Sequence, residues 1–216
     1  MRFGRLAGND WINTRIYECF NAIDSRDVET FVRKFRTEND PQRFHTFREL
    51  ICGEELFRRG LKARYEQPLE GLTPDWTIYD EDGSECEIVD VVTLHPRYDI
   101  ERDISRTVGS GQIWSGWITT APDRLYGKLQ DKFGAYSTFA ERERSALVVA
   151  LFTEFMAPID TSEVHHVVNE LYGGLFSDYP QVSGLIHFEY SLGAYRFSGI
   201  ANASAAIQSD VVKRFV

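Results

Sequence analysis

Residues 73–96 read "TPDWTIYDEDGSECEIVDVVTLHP", and the fold turns on how this stretch is taken. Asp75 to Tyr79 and Glu85 to Leu94 have strand character, and "DEDG" between them carries the Asp-Gly chemistry of a tight hairpin turn. Side chains alternate along a strand, so Cys86, Ile88, Asp90 and Val92 share one face while Glu85, Glu87, Val89 and Val91 share the other. Asp90 sits inside "IVDVV", a run suited to a buried strand. An aspartate there is costly unless it is paired or binds a metal. Asp75, just after Pro74, starts the neighbouring strand and brings a second carboxylate to the same region. Two carboxylates completed by waters suit a hard cation such as Mg²⁺.

Outward from the hairpin, the periodicity changes. Ile16, Phe20, Ile23, Phe31 and Phe35 recur at helical spacing, which predicts one or two helices over residues 14–36. "ENDPQ" breaks the chain, a helix from about Phe44 to Arg59 ends at Gly60, and "ARYEQ" reads as a short strand. Residues 96–120 look irregular. "APDRLYGKLQDKFGAYSTFA" reads as a helix with a proline in its first turn, although Gly127 and Gly134 weaken it. "SALVVALFTEF" is a continuous apolar run of the kind a buried strand shows. "DTSEVHHVVNELYGGLF" predicts a helix capped by Asp160 or Thr161 and stopped at Gly173-Gly174. A closing hairpin turns at Leu192-Gly193. This order predicts an α/β domain over residues 41–216, preceded by a helical N-terminal segment over residues 1–40. Its mixed central sheet has four to six strands flanked by helices, with Ala146–Phe152 beside Glu85–Leu94.

Taken together, "FRELICGEELFRRG", "TPDWTIYDEDG" and "EIVDVV" in this order resemble the core of the PD-(D/E)XK nuclease superfamily. The resemblance to this restriction-endonuclease-like fold covers about residues 44–200. It implies a helix acid at Glu49 or Glu54, the Pro-Asp acid at Asp75 and the acid of the acid-x-Lys triplet at Asp90. It also implies Mg²⁺ or Mn²⁺ held by Glu49, Asp75 and Asp90, and hydrolysis of phosphodiesters in DNA. Glu54 falls between Leu50, Ile51, Phe57 and Leu61. Glu49 shares its face with Cys52, Gly53, Leu56 and Gly60, small residues that let a helix approach a sheet closely, and is preferred.

The departure from the pattern is Val92, which stands where the triplet lysine is expected. Some members of the superfamily recruit that lysine from the next helix. Lys128 and Lys132 lie one turn apart there, with Tyr136 a further turn along. Lys132 is the first choice, because Phe133 and Tyr136 give its helix an apolar side to turn towards the sheet. Lys128 is the second.

The chain has 216 residues, 43% of them hydrophobic and 13% aromatic, which supplies a core and excludes a disordered protein. No apolar run approaches the roughly 18 residues that a membrane span needs. Three scattered cysteines point to reduced thiols in a cytoplasm. The net charge of −9 argues against indiscriminate binding to nucleic acid, yet residues 1–67 hold 13 Lys/Arg against 11 Asp/Glu and the remainder 11 against 22. A rival reading follows from Val92 and the acidic balance: a catalytically silent domain that binds nucleic acid or protein, as a homodimer or with a partner. Tyr98, Tyr172 and Tyr179 would then form its interface. His165-His166 reads as a solvated pair, Trp76, Trp114 and Trp117 as packing, and "VGSGQ" as too short of context for a phosphate loop.

Overall fold

A computed structural model describes residues 10–37, 39–69, 71–95, 106–107, 109–111, 121–154 and 159–216. The irregular stretch expected over 96–120 falls largely outside them, and with it Tyr98, Trp114 and Trp117. Six strands form one sheet in chain order: β1 (Lys62–Tyr65), β2 (Trp76–Tyr79), β3 (Glu85–Leu94), β4 (Ala146–Thr153), β5 (Val182–Ser191) and β6 (Ala194–Ala201). The first three pair antiparallel, β3–β4 and β4–β5 pair parallel, and β5–β6 close the sheet antiparallel. The class is α/β with a mixed sheet. The hairpin expected from the quoted stretch is present, with Trp76 opposite Val89, and β4 lies against β3 with Val149 beside Asp90.

Alternation along the strands sorts the core into two layers. Val89, Val91, Val148, Ala150, Ile186 and Phe188 face three N-terminal helices: α1 (Asp10–Ala22), α2 (Ser25–Thr37) and α3 (Asp40–Arg58). Ile88, Val92, Leu147, Val149, Leu151 and Leu185 face the two crossover segments, α4 (Ala121–Glu143) and α5 (Thr161–Asn169) with α6 (Leu175–Asp178). Ile16 of α1 and Phe31 and Phe35 of α2 are fully buried in the first layer, so the N-terminal helices pack into the sheet's own core.

Local chemistry explains the element ends. Asn39 caps α3 by accepting from the Gln42 amide at 3.2 Å, and Gly60 at φ +76° ends it. Asp160 and Glu163 form a reciprocal capping box at the start of α5. That helix stops at Asn169, short of the expected Gly173-Gly174. Tyr172 adopts φ +54°, and Gly174, at φ +85°, presses so close to the Asn169 backbone that a β-carbon there would meet its carbonyl oxygen at 2.4 Å. The closing turn does fall at Leu192-Gly193, both with positive φ.

Candidate active site

Helix α3 brings Glu49 to the hairpin because it can seat unusually close. A β-carbon at Gly53 would lie 1.9 Å from the Trp76 ring, so only glycine admits this packing. The Trp76 indole N–H donates to the Glu49 carbonyl at 2.9 Å and fixes the helix in height as well as depth. The Glu49 carboxylate is buried. Its Oε2 takes hydrogen bonds from the Tyr65 hydroxyl and from Lys34 Nζ at 3.0 Å, while Oε1 faces His45 Nε2 at 3.2 Å. Lys34 is itself shared with Glu66 at 2.9 Å. Glu54, the other candidate for the helix acid, points away to α1, where Arg15 and the Cys19 thiol hold it.

Asp75 starts the neighbouring strand and accepts the Val91 amide at 2.7 Å. Burial, together with the nearby Glu49 carboxylate, raises its pKa to about 8, against the lowering effect of the Val91 amide, Lys132 and Lys34. One ligand atom each from His45, Glu49 and Asp75 lies within 4.8 Å of the others. Two carboxylates and a neutral imidazole form a donor set that a divalent cation fits. Burial depresses the pKa of His45, which keeps the ring in the form that ligates.

Asp90 is placed differently from the expected ligand set. Alternation turns it to the α4 side, where it is buried. Tyr136 Oη donates to its Oδ1 at 2.9 Å, and Lys132 Nζ forms an ion pair with Oδ2. Lys132 and Tyr136 stand one turn apart, the ammonium 5.3 Å from the ring centroid. Burial lowers the Lys132 pKa, and Asp75 and Glu49 oppose that shift, so this cation feels both acids across the sheet end. Lys128 lies on the same helix and lines the adjoining cleft without reaching Asp90 among the described contacts.

The cleft has a volume of about 660 Å³ and is walled by His45, Val91–Thr93, His95, Lys128, Asp131 and Lys132. Val92 contributes its side chain to the α4-facing core. His45 went unnoticed in the sequence reading, although its position four residues before Glu49 puts the two on one helix face. His95 and Glu154 were also missed; they meet only because β3 and β4 run parallel and end together, with Leu94 beside Thr153. His165 and His166 are exposed on α5, far from this cluster in the fold's element order.

No family model matches the chain, and no curated protein matches it. Among solved structures, a chain of the CdiA-CT/CdiI toxin and immunity complex from Burkholderia pseudomallei is similar over 76% of this chain and 91% of that one. The identity is 13% and the TM-score 0.37, a likeness that carries no argument about fold or function. No described helix is long and apolar enough to cross a membrane.

Proposed function

We propose that this protein is a metal-dependent phosphodiesterase acting on nucleic acid, DNA in the first instance, and a divergent member of the PD-(D/E)XK superfamily. The observation that carries the reading is the convergence of Glu49, His45 and Asp75, of which His45 also lines a cleft whose wall holds Lys132. Glu49, His45 and Asp75 would hold Mg²⁺ or Mn²⁺, and the imidazole favours Mn²⁺ of the two. Such an ion supplies a water acidified enough to attack and a positive charge for the phosphate oxygens.

The remaining work falls to the chain's own groups. Lys34 and Tyr65 lock Glu49 in one rotamer and leave a single carboxylate oxygen towards the ligand space. Lys132, paired with Asp90, which Tyr136 also holds, would be the cation that offsets the charge building on phosphorus-bound oxygen during attack. Asp90 thus acts as the anchor of the recruited lysine.

The test is incubation with plasmid, single-stranded DNA and RNA in Mn²⁺, with EDTA controls and the Asp75→Ala variant alongside. EDTA-sensitive cleavage lost in the variant supports the enzyme. A second reading has its own observation: Lys34 and Lys132 already neutralise Glu49 and Asp90 internally, as in a silent binding domain. Failure to cleave any substrate would select it.

A further inference from the structure

A phosphodiester hydrolase must also discharge a leaving oxygen, and nothing assigned so far does so. On the assumption that the phosphodiesterase reading holds, we propose that His95, oriented by Glu154, is the general acid that protonates the leaving oxygen.

His95 directly follows β3 and forms part of the cleft wall together with Lys132. Its ring is held from one side: Nδ1 lies 3.3 Å from Glu154 Oε1, at the end of the adjacent strand β4. Its backbone is held too, because the Arg124 guanidinium from α4 donates to the His95 carbonyl. Glu154 is fixed in turn by Arg48 of α3, a buried guanidinium whose centre sits 4.8 Å over the Phe152 ring. Burial pushes the Glu154 carboxyl up, but the His95 hydrogen bond and the Arg48 charge outweigh it, so the group stays ionised. A carboxylate on Nδ1 fixes the ring orientation and tautomer, leaving Nε2–H as the proton to give.

The proposed step balances. The water oxygen bonds to phosphorus while the bond from phosphorus to the leaving oxygen breaks, its electron pair staying on that oxygen. His95 Nε2 delivers its proton there and becomes neutral imidazole, still bonded to Glu154 through Nδ1–H. The proton lost by the attacking water passes to solvent, from which His95 is recharged. Lys132 keeps its proton throughout.

A leaving group that needs no proton isolates this role. His95→Ala, and His95→Gln should the first variant fold poorly, are assayed in Mn²⁺ on an oligonucleotide and on bis(p-nitrophenyl) phosphate, whose nitrophenolate departs unaided. Oligonucleotide cleavage is expected to fall about 100-fold or more. The activated ester should be cleaved within about 3-fold of wild type, and Mn²⁺ affinity by calorimetry should be unchanged. Glu154→Gln tests the positioning role. Among the described residues, the charged and titratable groups around His95 are Glu154 just after β4, Arg48 and His45 on α3, and Arg124, Lys128, Asp131 and Lys132 on α4. Removing the Glu154 charge alone should slow oligonucleotide cleavage through kcat rather than KM, while leaving cleavage of the activated ester within about 3-fold of wild type. Equal slowing of both substrates in the His95 variants, or no slowing of either, overturns the assignment while leaving the nuclease reading intact. A wild-type protein inactive on every substrate removes both.

Discussion

Glu87 and Asp75 belong to one hairpin, and the protein gives them opposite company. Glu87, on β3, is buried and accepts from the Ser209 hydroxyl, the Asp210 amide at 2.8 Å and the Val211 amide at 3.1 Å, the open N-terminus of α7 (Asp210–Lys213). Asp75 receives one backbone donor and confronts a second carboxylate. A carboxylate met by three donors at a helix start is part of the scaffold. One left facing another acid and an imidazole is what the proposed metal site requires.

Substitution should separate the two most sharply at Asp75. Asp75→Ala is expected to lower cleavage by about three decades, or about 4 kcal/mol of transition-state stabilisation, with Mn²⁺ binding by calorimetry lost in parallel. Lys132→Met should slow cleavage by about 100-fold and leave Mn²⁺ binding unchanged, since a cation that only offsets developing charge contributes in the transition state. Parallel loss of metal affinity would show instead that Lys132 holds the site together. Glu87→Ala should reverse the pattern: about 2 kcal/mol of stability lost in urea unfolding, because buried donors of α7 are left unmatched, with kcat unaltered.

Proton linkage sharpens the same contrast. The folded pKa of Asp75, at about 8, exceeds the unfolded value, so its stabilising contribution is complete below about pH 4 and lost as pH rises towards 8. Asp75→Asn should gain on wild type across that window in thermal melts without metal. Cation binding below pH 8 should release a proton, visible as a buffer-dependent heat. The smallest effect concerns His187, buried between Thr153 and Thr161 and held neutral with its pKa lowered to about 4 by burial. A depressed folded pKa stabilises above the unfolded value and is lost as pH falls from about 6.5 towards 4, costing about 1 kcal/mol at pH 5.5. A flat melting temperature from pH 7 to 5 would remove His187 from this account.

The hairpin was legible because Asp-Gly and strict alternation are local signals, and Asp90 stood out as an acid in an apolar run. Lys132 was legible from Phe133 and Tyr136, which showed which side of α4 would be buried. Glu49 could be preferred over Glu54 from its small neighbours, but the reason Glu54 is tolerated is Arg15, 39 residues earlier, and no local pattern reports that. The expected ligand role of Asp90 rested on two strands lying side by side. Alternation then put its carboxylate under α4, whereas His45 fills the ligand space from α3. His95 and Glu154 join only through a parallel pairing across a crossover, which sequence periodicity does not encode.

Gly53 carries no functional group, yet its missing β-carbon lets Trp76 lie against α3 and holds Glu49 beside Asp75. In a scan scored by activity, this position would mimic a catalytic residue. Any side chain there would lift the helix and separate the two acids before unfolding the protein. Screening the same library by abundance as well as turnover would reveal it as a hinge point between the two scores. A glycine thus sets the gauge of the site.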